Sequence, residues 1–214
     1  MRHAALLLAL AAATSVVAGC GRRPAAAECK LPAGATVLAI GDSLTRGHGA
    51  DGQGYAEQLQ ALLAQQPGRQ DISVRNLGLN GETSAELAAR IDAALAEHRP
   101  AVVLITSGGN DFLRRAAEED TRRHLAEVVK KVRDAGAHPL LFAVPRPSLA
   151  AAAGLPSDHP LYESLASELK LPVLPGVVAG VLAKPDLRSD QIHPNAAGYA
   201  LMASAAAEAL SACR

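Results

Sequence analysis

Thr36-Val37-Leu38-Ala39-Ile40-Gly41-Asp42-Ser43-Leu44 is a short, unbroken apolar run that ends in glycine and then in a polar Asp-Ser pair. Without polar alternation, such a run suits a strand buried on both faces, as the strands of a parallel sheet are. Outward from this stretch, four more strand candidates follow at 72–76, 101–106, 139–144 and 172–174. Helical patterns lie between them. The clearest starts at Thr83, where Thr83-Ser84-Ala85-Glu86 forms a capping box, and carries Leu87, Ile91 and Leu95 on one face until Pro100 stops it. A second covers 118–135 with Gly136 as its C-cap, and the last covers 195–212. Strand and helix patterns that alternate in this way predict an α/β fold of five βα units, with a five-stranded parallel sheet covered by helices.

Ligands of such a sheet bind at the carboxyl ends of its strands. Ser43 follows the first strand, Gly81 the second, and Gly108-Gly109-Asn110-Asp111 the third. Asp190-Gln191-Ile192-His193-Pro194 immediately precedes the last helix. These pieces supply the parts that acyl transfer from an ester requires. The Ser43 hydroxyl is a poor nucleophile until a base lies within hydrogen-bond reach, and His193 is the candidate base. Asp190, three residues earlier, can hold one imidazole nitrogen and stabilise the imidazolium while the other nitrogen faces Ser43. The oxyanion needs fixed donors, for which the Asn110 amide and the backbone N–H groups of Ser43 and Gly81 are available. Each piece alone has a plainer reading: a helix-capping histidine, a turn carboxylate, a strand-to-helix turn.

Two rival motifs fail on position. Gly47-His48-Gly49-Ala50-Asp51-Gly52 satisfies the dinucleotide pattern, but it stands six residues beyond the strand end, and Asp71 falls before the second strand. It reads as a loop beside the site, from which His48 reaches toward Ser43. The α/β-hydrolase elbow fails because Thr45 occupies its second glycine position. His98, His124, His138 and His159 lie on or beside helices and strand starts, where surface or capping roles are expected.

The 214 residues begin with Met1-Arg2-His3 and an apolar run over 4–18, a charged start and a hydrophobic stretch that read as an export signal over 1–19. The run is shorter than the roughly 20 apolar residues a spanning helix needs. Val17-Ala18-Gly19-Cys20 resembles a bacterial lipobox, which implies lipidation at Cys20 and anchorage by acyl chains; the plain alternative is an ordinary signal with an incidental cysteine. Gly21 stands where an inner-membrane retention signal has Asp, so the expected location is the cell envelope, at the outer membrane facing the periplasm. Residues 20–34 read as a tether, with Arg22 and Arg23 near anionic headgroups, and 35–214 as one domain. Cys29 and Cys213 form either a terminal disulfide or two free thiols in a compartment that permits oxidation. Lys+Arg and Asp+Glu balance at 21 each and aromatics are 2%, so no basic face or stacking platform serves nucleic acid. No Cys-x-x-Cys or His-Glu-x-x-His spacing occurs, so neither a metal nor a cofactor is implied.

In their order, the blocks Ile40-Gly41-Asp42-Ser43-Leu44, Asn80-Gly81-Glu82-Thr83, Gly108-Gly109-Asn110-Asp111 and Asp190-Gln191-Ile192-His193-Pro194-Asn195 resemble those of the GDSL, or SGNH, hydrolase family. The resemblance covers the chain from Thr36 to the end of the last helix. It implies a three-layer α/β/α, flavodoxin-like fold and assigns Ser43 as nucleophile, Asp190 and His193 as its partners, and Ser43, Gly81 and Asn110 as oxyanion donors. Asn80-Gly81-Glu82-Thr83-Ser84 is similar to the bacterial periplasmic acyl thioesterase, lysophospholipase and arylesterase group, which implies small or lipid acyl esters as substrates; a monomer is the separate expectation for its assembly. A carbohydrate O-acetylesterase acting on envelope glycans, or a catalytically idle envelope-binding lipoprotein, are the alternatives. The segment 146–162 departs from the family pattern. With Leu79, Phe112 and Leu113 it is expected to line an acyl site, or else to pack as core or lid.

Overall fold

Residues 37–40 are wholly buried, so every backbone N–H and C=O there needs a protein partner. The chain meets that demand by pairing the strand on both sides. The computed structural model describes residues 29–214. In chain order its elements are β1 (Thr36–Gly41), α1 (Ser43–Arg46), α2 (Tyr55–Ala64), β2 (Ser73–Gly78), α3 (Ser84–His98), β3 (Val102–Thr106) and α4 (Gly109–Leu113). They continue with α5 (Glu118–Asp134), β4 (His138–Phe142), α6 (Leu149–Ala152), α7 (Leu161–Leu169), β5 (Val173–Leu174), α8 (Val177–Leu182) and α9 (Ala196–Ser211).

All five strands are parallel, in the order β2-β1-β3-β4-β5. The chain steps one way from β1 to β2 and the other way from β1 to β3. Right-handed crossovers therefore place the helices on opposite faces: α2 packs with α9 and α9 with α8, while α3 packs with α5 and α5 with α7. The three-layer α/β/α arrangement follows. The Thr83 capping box forms as the sequence predicts. α9 starts in close contact with the turn at 185–187. A Cβ on Gly198 would lie 2.1 Å from the Leu187 carbonyl oxygen. Among the described residues no helix is long and apolar enough to cross a membrane.

Several boundaries differ from the expected ones. The second strand starts at Ser73, whose N–H donates to Ala35 O, because the Ile72 N–H is already committed to Arg69 O in the preceding turn. The fourth ends at Phe142, and Pro145 instead makes an antiparallel bridge with Asp158. The helix expected over 118–135 ends at Asp134 with Ala135 as its cap, one residue before Gly136. Full burial on both faces holds for β1 and β3 but not for β2 and β5, which are half-buried. An edge strand borders solvent along one side, which is why β2 tolerates an exposed Arg75. The pattern reading places three helices by residue and leaves α2, α7 and α8 unassigned within the gaps.

The two ends of the described chain are tied at the pole where the strands begin. Cys29 and Cys213 form a disulfide with Cα atoms 4.6 Å apart. The Leu31 N–H donates to Arg214 O and the Arg214 N–H to Cys29 O, both at 3.0 Å. At the opposite pole, polar side chains are buried. Asp42 is 2% exposed, and Glu82 and Asp111 are buried beside it. Asp42 accepts from the Leu44 N–H at 3.0 Å and so caps α1. Burial pushes its pKa up to about 7 against that hydrogen bond, with Glu82 and Asp111 adding repulsion.

Two outcomes follow. Reduction, or Cys29→Ser, should lower the unfolding free energy by about 2–4 kcal/mol in a urea titration, because the bond spans 184 positions of sequence. Asp42 binds its proton in the folded state up to about pH 7 and releases it near 3.8 when unfolded. Its contribution is therefore full below pH 4 and is lost as pH rises through 7. Asn in its place keeps an acceptor for the cap and cannot ionise. The stability of Asp42→Asn relative to wild type should climb between pH 4 and 7.5, and a difference that stays flat would contradict the assignment.

Candidate active site

The strand register brings the site together. Gly41 at the end of β1 is level with Gly78 on one side and Thr106 on the other. The segments leaving these three strands therefore emerge side by side, at the point where the chain's direction of travel reverses, which is the usual ligand crevice of such sheets. Ser43 is the first residue of α1, held there by the Asp42 cap. Gly81 lies in the turn after β2 at φ +78°, a left-handed backbone that favours glycine. Asn110 is the second residue of α4.

Asp190 and His193 arrive from the loop that enters α9. His193 Nε2 is 2.9 Å from Ser43 Oγ, and His193 Nδ1 is 2.7 Å from Asp190 Oδ2. The other oxygen of Asp190 accepts from the backbone N–H groups of Ile192 and His193, each at 2.8 Å. Burial opposes ionisation of Asp190, but the His193 hydrogen bond and the two backbone donors outweigh it and hold the carboxyl below the usual range. An ionised Asp190 favours the tautomer with the proton on Nδ1, which leaves Nε2 free to accept from the serine hydroxyl. The loop is braced from both sides. Asn195 caps α9 through the Gly198 N–H and donates to Asp186 O. On the facing turn, Gly49 sits where a Cβ would come within 2.0 Å of Ser189 Oγ, so only glycine lets the two loops touch.

The prospective oxyanion donors are held by a separate polar network. Among the described residues neither the Ser43 N–H nor the Gly81 N–H has a backbone acceptor, and the first N–H groups of any helix have none within it. Arg114 donates to Gly81 O at 2.8 Å, which fixes that peptide. Asn110 Nδ2 donates one hydrogen to Glu82 O at 3.0 Å and keeps a second available. Glu82 is in turn ion-paired with Arg90, whose guanidinium also donates to Leu77 O at 2.7 Å. Asp111 accepts from the Ser84 N–H and hydroxyl at 2.9 and 2.6 Å, which ties α4 to the start of α3. The sequence reading misses this support, although the Asp-Ser and Asn-Asp pairs in two of the blocks hint at it.

A cavity of about 120 Å³ opens beside Ser43 and His193. Its walls are mainly apolar: Leu44, Leu113, Val144, Val178, Leu182 and Ile192, with Pro145, Arg146, Pro147, Ala151 and Pro156 along one side. Part of the 146–162 segment therefore lines the site, as does Leu113. Leu79 and Phe112 do not. The Phe112 ring stacks on His159 at 4.0 Å, and Leu79 is half exposed. The contribution of α8 goes unread in the sequence because its apolar residues resemble ordinary core.

The remaining histidines have partners that sequence spacing hides. His159 stacks on Phe112 and accepts from the Leu161 N–H, and burial lowers its pKa. His124 meets the Ser84 hydroxyl at 3.3 Å. His98 lies 3.7 Å from a Glu97 carboxylate oxygen. The His48 ring stands 4.5 Å from that of His193. The stretch 47–52 joins α1 to α2 as a turn and does not enter a helix directly from β1. The expected lipidation at Cys20 and the expected signal over 1–19 concern residues outside the described ones.

Residues 39–201 match the GDSL-like Lipase/Acylhydrolase family. Esterase TesA of Pseudomonas aeruginosa is 35% identical over 161 residues, 74% of this chain and 79% of its own. Thioesterase 1/protease 1/lysophospholipase L1 of Escherichia coli (strain K12) is 33% identical over 161 residues, 75% and 76% of the two chains. A crystal structure of TesA superimposes with a TM-score of 0.72 at 32% identity, covering 82% of this chain and 97% of that one. The family match runs through all four sequence blocks and the relatives span three quarters of the chain: this protein belongs to the GDSL-like Lipase/Acylhydrolase family and is a hydrolase of the esterase type.

Proposed function

We propose that the protein hydrolyses acyl esters through an acyl-serine intermediate on Ser43. The observation that carries this is the unbroken line from Ser43 Oγ through the His193 imidazole to Asp190, at 2.9 and 2.7 Å, beside an apolar cavity. His193 Nε2 takes the hydroxyl proton as Ser43 Oγ attacks the carbonyl carbon. The oxyanion is held by the N–H groups of Ser43 and Gly81 and the second Nδ2 hydrogen of Asn110. Collapse of the tetrahedral intermediate breaks the bond to the leaving group, which receives the proton from His193. Water then enters by the same route and releases the acid. The apolar walls favour an acyl chain longer than acetyl, in keeping with relatives named esterase, thioesterase and lysophospholipase. An acetyl-sugar substrate would leave those walls without a partner.

The decisive panel is p-nitrophenyl acetate, butyrate, octanoate and palmitate. Ser43→Ala should remove turnover and labelling by a fluorophosphonate. Asn110→Ala should lower kcat by about 10²–10³ with little change in KM, as expected for a donor used in the transition state. An optimum at acetate would instead favour the deacetylase reading. Labelling that persists in Ser43→Ala would remove Ser43 from its role.

Anchorage is a separate part of the proposal and rests on Val17-Ala18-Gly19-Cys20. Two signals are needed for stable attachment, here acyl chains together with Arg22 and Arg23. Cys20→Ser should move the protein from the membrane to the soluble envelope fraction. Unchanged fractionation would exclude the lipid anchor.

A further inference from the structure

His48 has a fixed backbone and a free side chain. Its N–H donates to Ser43 O and its carbonyl accepts from the Tyr199 hydroxyl, both at 3.0 Å. Among the described residues its imidazole makes no hydrogen bond or ion pair; its one neighbour of note is the His193 ring, tilted by 50° at 4.5 Å. The close fit of Gly49 against Ser189 holds the two loops in this register. One ligand atom each from His48, Asp190 and His193 lie within 4.8 Å of one another. Two imidazoles and a carboxylate are the donor set of a borderline transition metal, with solvent as fourth ligand.

We propose that His48, Asp190 and His193 form an inhibitory site for a transition-metal ion, zinc(II) foremost, whose occupancy switches the esterase off. Tetrahedral zinc with bonds of about 2.1 Å sets its ligand atoms ~3.4 Å apart. His48 is exposed, so its side chain has room to turn toward the other two, whose Nδ1 and Oδ2 atoms must part slightly from 2.7 Å to admit the ion. Magnesium and calcium, which require more oxygen ligands, do not suit the set. Asp190 stands on the Nδ1 side of His193, so an ion shared by the two takes Nδ1 and leaves Nε2 facing Ser43. Coordination at Nδ1 replaces the proton shared with Asp190. The remaining imidazole proton then sits on Nε2, which can no longer accept from the Ser43 hydroxyl, so the base is lost until the ion leaves. The loss of activity rests on the triad reading above, whereas the binding of the ion does not.

The experiment is a zinc titration of the purified, tag-free protein, read both by ester turnover and by calorimetry. The expected result is one zinc bound per chain, with inhibition in the micromolar range that EDTA reverses, and with no effect of magnesium or calcium at about 1 mM. His48→Ala should keep turnover within about twofold while requiring at least about tenfold more zinc for half-inhibition and for binding. Equal zinc sensitivity in His48→Ala would overturn the proposal. So would the absence of binding below about 1 mM, or binding that leaves turnover intact. Calorimetry on Ser43→Ala reads the site without activity, so a protein that binds zinc yet hydrolyses no ester fails the function reading and leaves the metal site standing.

Discussion

The parallel pairing of β1 with both β2 and β3 is the constraint on which everything else rests. It satisfies the buried backbone of residues 37–40 and sets Gly41 level with Gly78 and Thr106. A parallel ladder offers no tight hairpin, so each strand must leave the sheet through a turn and return through a helix. Three of those turns emerge at one level, and they carry Ser43, Gly81 and Asn110. The crevice therefore follows from strand order. A shift in the pairing of β1 by even one residue would reverse its side-chain faces and separate Ser43 from Gly81 and Asn110.

The acidic side chains at that end of the sheet are costly to bury and are satisfied accordingly. Asp111 is spent on the start of α3, Glu82 on Arg90, and Asp42 on the N-terminus of α1. Each of these contacts fixes a backbone segment that presents a functional group. The pocket walls supply the opposite character. A charge developing on an ester oxygen there meets fixed dipoles in place of mobile water, which is the condition under which such donors are most effective. α9, entered from the Asp190–His193 loop, runs back to the far pole, where the Cys29–Cys213 bond joins the end of the chain after it to the segment before β1. The loop that carries Asp190 and His193 thus leads into a helix restrained at both ends.

His193 is held in a narrower way than Ser43. Its position depends on a short loop braced by Asn195, Ser189 and the facing Gly49 turn. That bracing brings His48 alongside, so a loop that resembles a nucleotide-binding fingerprint in sequence is a neighbour of His193 in space.

Much of the fold was legible in the residues themselves. Short apolar runs can satisfy both faces only in a covered parallel sheet, and Thr83 with Glu86 announces a helix start from local chemistry alone. The Asp190–His193 pairing was equally local, because three residues of loop suffice to join a carboxylate to an imidazole. Edge strands, the exact strand ends and the helices α7 and α8 were not legible, since they depend on which neighbour each segment meets. The apolar residues of α8 carry no mark that distinguishes pocket wall from core. By itself the sequence determined the residue types of the site, the alternation of elements and the family blocks, because these are properties of short spans. Only the tertiary structure decided that Ser43 meets His193 across 150 positions, that Arg90 neutralises Glu82 beneath Asn110, and that His48 joins Asp190 and His193. Such contacts are set by strand order and loop packing, which no local pattern encodes.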